Sequence, residues 1–238
     1  MVVFYGSMYF RDCIYKIGQD ILVYHGYVMM VVFLVLMLVL YVGYTVVTCT
    51  GYRSRFFTDH QQLEWWWTVI PMILLAALWC PSTLNLYRMD DIKIPRWNFK
   101  ALGKQWYWSY ECETPNKKVF MFDSYMKQDS GTTEEGGYRL LDVDHRMVAP
   151  AGVQTTVFVT SPDVLHSFSL YGTMLKVDAI PGRLNQLPLL VNRVCILYGQ
   201  CSEICGVNHS FMPIVIEFIP EQYFIKWINA MEEFKSLG

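Results

Sequence analysis

At 238 residues the chain has room for one sizeable domain and something smaller. It is 53% hydrophobic and only 17% charged, too apolar for an ordinary soluble protein, so part of it belongs in lipid. A net charge of −2 gives no support to nucleic-acid binding, and seven cysteines at 13, 49, 80, 112, 195, 201 and 205, odd in number and irregular in spacing, argue against a disulfide framework.

Residues 1–20 mix Arg11, Asp12, Lys16 and Asp20 with aromatics. They have neither the apolar core and small-residue cleavage site of a secretory signal nor the acid-free texture of a mitochondrial presequence, and read as an N-terminal segment of the mature protein. From Ile21 to Cys49 there is no Asp, Glu, Lys or Arg, and Val28 to Leu40 is almost purely aliphatic. About 20 apolar residues span a bilayer, so a transmembrane helix is predicted over about 21–49. A second uncharged run covers 65–86, with Trp65, Trp66 and Trp67 at one end and Tyr87 at the other, as in the aromatic belts of membrane interfaces. Pro71 and Pro81 are tolerated in such a helix where neighbours satisfy the freed carbonyls.

The short turn from Gly51 to Glu64 makes residues 21–87 a hairpin with both chain ends on one side. Arg53 and Arg55 lean that turn toward the cytoplasmic or matrix face, while Arg11 and Lys16 weigh the other way. Glu64, at the turn end of the second helix, has two readings: a solvated carboxylate favoured by the helix dipole, or a proton-uptake group at a membrane boundary.

From Arg88 charges return and short Val-, Tyr-, Phe- and Thr-rich segments alternate with Gly, Pro and Asp/Asn turns. Strands are predicted over 99–111, 118–125, 138–143, 153–161, 165–170, 194–198 and 213–219, the pattern of an antiparallel sandwich or barrel over 88–238. After Glu221, Phe224, Trp227, Ile228 and Met231 fall on one helical stripe, predicting an amphipathic helix packed on that domain.

The chemistry gathers in Tyr198 to Pro213, where Cys201, Cys205, His209 and Met212 offer two thiols, an imidazole and a thioether. Such soft donors suit copper or zinc, not calcium or magnesium. Structural zinc uses Cys and His and has no need of Met212, whereas Cys, His and Met in this order form the loop of mononuclear copper sites, which take a further histidine from a distant strand. His25 is in the first membrane helix, His60 in the hairpin turn and His145 in a polar turn, which leaves His166, at the end of a predicted strand. Two thiolates four residues apart, with one histidine for each metal, could instead hold two coppers, completed by the Met212 sulfur and a backbone carbonyl. Zinc, one copper and two coppers all remain open at this point.

Five stretches carry a resemblance: Gln105-Trp106-Tyr107-Trp108-Ser109-Tyr110-Glu111, Phe122 to Met126, Asp163-Val164-Leu165-His166-Ser167, Asp178 to Gln186, and Tyr198 to Ile214. They resemble the cytochrome c oxidase subunit 2 family in its mitochondrial, copper A-containing form, with a match from about Gln62 to Trp227. The resemblance implies a two-helix transmembrane hairpin followed by an all-β cupredoxin-like sandwich or barrel with a C-terminal amphipathic helix. It further implies a place in the mitochondrial inner membrane, with the copper domain in the intermembrane space.

The implied activity is acceptance of electrons from cytochrome c at a dinuclear copper A centre and their passage to haem in subunit 1. There oxygen is reduced to water and protons are pumped. The chain has no recognisable haem ligands, so it is expected to be the electron relay of an enzyme whose other subunits, subunit 1 first among them, are its partners along with the lipid bilayer.

Residue by residue, His166, Cys201, Cys205, His209 and Met212 match the copper ligands, and Glu203 the residue whose backbone carbonyl completes the set. The Glu203 carboxylate also matches a ligand to magnesium at the boundary with subunit 1. Trp106 matches the electron entrance from cytochrome c, and Glu64 the mouth of a proton pathway. Glu111, Asp123, Asp144 and Asp163 stand where the family has docking acids, though each taken alone reads as a solvated surface charge. Thr114 to Lys118 is more basic and slightly longer than usual, and Lys104 replaces a customary histidine, so a less negative docking face is expected. Trp108, two residues beyond Trp106 on the same strand face, reads as packing. A quinol oxidase subunit 2 would lack these copper ligands, and a nitrous oxide reductase would lack the membrane spans.

Overall fold

The two uncharged runs form α1 (Lys16–Thr48) and α2 (Gln61–Asp90). Phe33, Leu38 and Leu40 on α1 and Trp66, Leu75 and Trp79 on α2 are each more than half exposed. A helix apolar all round has to be covered by protein or by lipid, and both helices are long and apolar enough to cross a bilayer. They run antiparallel: near the start of α1 the Asp20 carboxylate accepts from Arg88 Nη1 near the end of α2 at 3.0 Å, and Asn85 Nδ2 donates to the Asp20 carbonyl at 3.4 Å.

This computed structural model describes residues 10, 13–51, 56, 58–90, 94–113, 119–127 and 138–236, so the basic segment 114–118 lies outside the described residues. The chain divides into two compact units, Asp20–Asp90 and a second that joins Asp91–Gly238 with Met1–Gln19.

The second unit is a sandwich of two five-stranded sheets. Its strands are β1 (Trp97–Lys104), β2 (Tyr107–Glu113), β3 (Val119–Ser124), β4 (Met147–Ala151), β5 (Thr155–Thr160), β6 (His166–Leu170), β7 (Leu175–Ala179), β8 (Asn185–Leu189), β9 (Cys195–Gln200) and β10 (Pro213–Pro220). One sheet has the order β3-β2-β1-β5-β8, the other β4-β10-β9-β6-β7. All pairings between these strands are antiparallel except β1 with β5 and β10 with β4. Trp108, Tyr110, Phe168 and Phe218 fill the space between the sheets and are fully buried. α3 (Glu221–Ser236) closes one end, its stripe buried at Phe224 and Ile228 and half-buried at Trp227 and Met231.

The strand pattern needs three corrections. The predicted strand 99–111 is a hairpin, β1 and β2, folded at Gln105 and Trp106. The predicted strand 138–143 is a turn with one bridge, Val143 to Met126, held by Tyr138 N donating to the Asp142 carboxylate at 2.6 Å. Strands β4, β7 and β8 were not predicted. Pro150 and Pro188 mask β4 and β8, which tolerate them because both are edge strands; Lys176 and Asp178 make β7, also an edge, read as a loop.

The N-terminal segment is part of this unit. Ile14 N donates to the Gly172 carbonyl between β6 and β7 at 2.8 Å, and Cys13 and Tyr15 are buried. Gly18 sits so close that a Cβ there would lie 2.1 Å from Cys13 Sγ and 2.4 Å from the Thr173 carbonyl oxygen.

Candidate metal centre

The soft-donor loop is the connection between β9 and β10. Gln200 pairs with Pro213 across that ladder, so the base of the loop is fixed and Cys201 and Met212 leave adjacent strand ends. Gly206 turns the chain after the second cysteine with φ +124°, a left-handed value that favours glycine. A short 3-10 turn, His209–Phe211, then returns it to Met212. His166 opens β6 in the same sheet and is fully buried, as are Cys201, Cys205 and Met212 almost entirely.

The two sulfurs stand 3.9 Å apart, well beyond the roughly 2.05 Å of a disulfide. His166 Nδ1 faces Cys201 Sγ at 3.8 Å, and the Glu203 carbonyl lies 3.3 Å from the same sulfur. Cys205 Sγ has His209 Nδ1 and Met212 Sδ each at 3.5 Å. The His166, Cys201 and Cys205 donor atoms all fall within 4.8 Å of one another. Four donors therefore surround the pair of sulfurs, six in all, the number that two four-coordinate metals sharing both thiolates require.

The electrostatics favour a cation there. Burial pushes the Cys201 thiol up, but His166 and hydrogen bonds from the Glu203 and Ser167 backbone outweigh it and bring it down to about 6. The Cys205 thiol is pushed up to about 12, by burial first and then by the negative charge of Cys201. One proton leaves easily and the second is retained, because two bare thiolates at this distance repel. Positive charge between the sulfurs removes that repulsion, so the donor set fits a soft metal rather than a redox dithiol alone.

Asp163 supports the buried histidine. Its Oδ1 lies 2.9 Å from His166 Nε2 and accepts from Val164 N at 2.6 Å and Ser161 Oγ at 2.9 Å; its Oδ2 accepts from Gln105 N at 2.7 Å. Burial pushes this carboxyl up, and the hydrogen bonds bring it below its ordinary value. Burial likewise pushes the His166 imidazole down, and Cys201 and Asp163 overcome that and raise it. A carboxylate holding the far nitrogen of a metal histidine fixes ring orientation and tautomer.

Trp106 lies in the turn between β1 and β2, half-buried, not within a strand. Its Nε1 donates to the Cys205 carbonyl at 3.3 Å, which also accepts from Gln105 Nε2 at 2.8 Å. Its ring rests on Gly206, where a Cβ would come within 3.2 Å. Glu203 is half-exposed, and Glu64 is half-exposed in the first turn of α2, in the other unit. Of the four acids, Glu111 is paired with Lys100 at 3.1 Å and Asp123 stands 3.9 Å from Lys104. Asp144 is exposed, accepting from Tyr125 N and pairing with His145.

Three residues of the site escaped the sequence. Gly103 lies under His166, where a Cβ would be 2.9 Å from the His166 Cβ and Cγ. Gly199 lets β9 approach β6 so closely that a Cβ would fall 1.9 Å from the Ser169 carbonyl oxygen. An isolated glycine inside a strand pattern is the signal for such an approach. Trp108, read as packing, also donates to the Met212 carbonyl at 3.3 Å.

The fold and site define a membrane-anchored cupredoxin-like protein with a soft-metal loop. Residues 97–219 match the periplasmic domain of cytochrome c oxidase subunit II, and residues 4–84 its transmembrane domain. Cytochrome c oxidase subunit 2 of Mytilus edulis is 56% identical over 240 residues, 96% of this chain and 99% of that one. Among solved structures, the periplasmic domain of subunit II of cytochrome oxidase of Bradyrhizobium japonicum is similar at 42% identity and TM-score 0.54, over 60% of this chain and 97% of that one. A mixed disulfide intermediate between a thioredoxin-like protein and subunit II of cytochrome c oxidase is similar at 41% identity and TM-score 0.51, over 60% and 95%. The chain belongs to the cytochrome c oxidase subunit 2 family, and is a membrane-bound subunit of that enzyme complex.

Proposed function

We propose that this chain accepts electrons from cytochrome c at a dinuclear copper A centre and passes them to haem in subunit 1, where oxygen reduction to water drives proton pumping. The observation that carries this reading is the placement of four further donors around a sulfur pair 3.9 Å apart. Cys201, Cys205, His166, His209, Met212 and the Glu203 carbonyl would hold the copper pair. A bound copper pair supplies a one-electron acceptor whose charge change is shared across both metals.

The protein does the rest. Burial of His166, Cys201, Cys205 and Met212 excludes water, and the sheet fixes β9, β10 and β6, so little has to rearrange when charge arrives. Trp106 is the electron entrance: half-buried, it presents an aromatic ring whose N–H is bonded to the carbonyl of the ligand Cys205. The Glu203 carboxylate, free of the sulfur contact its own carbonyl makes, holds magnesium at the boundary with subunit 1. Glu64 opens a proton pathway at the membrane boundary. Glu111, Asp123, Asp144 and Asp163 serve docking, weakened where Lys100 and Lys104 pair with two of them. Higher identity to the Mytilus edulis protein than to the Bradyrhizobium japonicum domain supports a mitochondrial inner-membrane location, with the sandwich in the intermembrane space.

A metal assay with an electron spin resonance spectrum of the purified full chain tests this reading. Two coppers per chain and a spectrum of one electron shared equally by two nuclei are expected; zinc alone, or the four-line pattern of a single copper, would overturn it.

A further inference from the structure

Trp108 touches the metal site at two points that lie far apart in the chain. It is fully buried on β2, and its Nε1–H donates to the backbone carbonyl of Met212 at 3.3 Å. Its ring lies edge-on to the His166 ring, with centroids 6.1 Å apart and an interplanar angle of 62°, and edge-on to Phe168 at 5.2 Å. Its cross-strand partner in the β1–β2 ladder is Gly103, the residue on which His166 rests without room for a Cβ. The imidazole is therefore confined by Gly103 beneath, Trp108 at its edge and Asp163 on Nε2.

The Met212 carbonyl is the more telling contact. Met212 is almost wholly buried, and its Sδ reaches Cys205 Sγ at 3.5 Å. A buried carbonyl without a donor is costly, so the indole N–H holds the backbone of this ligand in one place, and with it the reach of the thioether. The same rigid side chain sets the position of His166.

We infer that Trp108 is a positioning residue that holds the His166 ring and the Met212 backbone in place and so fixes the reach of the Met212 sulfur. Because a weak thioether ligand is the lever by which such sites set their potential, Trp108 tunes the acceptor without touching it. This rests on the two-copper reading above.

The test uses the full copper-loaded chain. Trp108→Phe keeps an aromatic ring and removes the N–H. Replacing Trp108 by its benzothiophene analogue keeps the shape as well and removes the N–H alone, so a folding defect from lost volume is separated from the lost bond. Both variants are expected to hold two coppers, to show altered copper hyperfine splitting, and to lose copper to a chelator with affinity lowered about 10–100-fold, the usual effect of deleting a partner that orients a ligand. Unchanged splitting and affinity in the benzothiophene variant would overturn the inference, whatever Trp108→Phe does. Absence of a copper pair in the unsubstituted chain would instead overturn the reading on which it rests.

Discussion

Asp163 has two candidate roles, docking and support of His166, and Asp163→Asn separates them. The carboxylate has four neighbours: Ser161 Oγ, Val164 N and His166 Nε2 on Oδ1, and Gln105 N on Oδ2. With His166 Nδ1 turned toward Cys201, Nε2 carries the proton, and all four are donors. An amide must therefore point its NH2 at one side, and the cheaper choice is Oδ2, where one bond is lost instead of three. A hydrogen bond to a charged group is worth about 1.5–3 kcal/mol. The side chain is 30% exposed, so water recovers part of it and a loss of about 1–2 kcal/mol is expected.

The charge facing His166 also disappears, and copper affinity should fall about 10–100-fold. Denaturant unfolding, chelator competition and the Michaelis constant for cytochrome c at low and high salt together make the assay. Positioning predicts weaker copper binding with little change in the salt dependence of that constant; docking predicts the reverse. Copper affinity within about twofold of the parent would refute the positioning argument, since the orienting effect it invokes is at least tenfold.

Gly199→Ala should lower stability by about 3 kcal/mol or more, because its Cβ would meet backbone rather than a yielding side chain. Calorimetry should show a melting temperature about 6–12 °C lower, and a fall under about 2 °C would mean that β9 and β6 separate freely. Glu203→Gln keeps the carbonyl beside Cys201 and removes the carboxylate. Copper content of the assembled oxidase should be unchanged and its magnesium lost; retention of magnesium would remove Glu203 from that site.

How far the fold was legible follows from where the information lay. The membrane helices and α3 declared themselves by runs and stripes within one segment, and β5 and β10 by their β-branched and aromatic content, with β6 and β9 set off by the turn residues around them. The edge strands β4, β7 and β8 did not, since prolines and charges are permitted where one side of a strand is unpaired. Tyr107 and Trp108 continued the pattern of β1 so smoothly that the fold-back at Gln105 and Trp106 left no mark. Four of the five donor side chains were readable because one loop carries them, and His166 because the other histidines stood in unsuitable places. Gly103 and Trp108 depend on approaches between strands distant in sequence, which no local pattern records, whereas Asp163 meets His166 only three residues on, a contact that the turn geometry and not the residue spacing reveals.

The burial of Cys13 and Tyr15 against the β6–β7 hairpin is a contact of very long sequence separation. Ile14 finds its acceptor at Gly172 only after both membrane helices and six strands have been synthesised. Contacts of such long sequence separation close late, since their loop entropy is spent before they return anything. The earliest described residues of the chain are thus among the last to lock, and the hairpin they lock is the one that begins with His166. The stretch around Ile14 and the hairpin that opens with the donor His166 are held together by contacts that no truncated N-terminus could make.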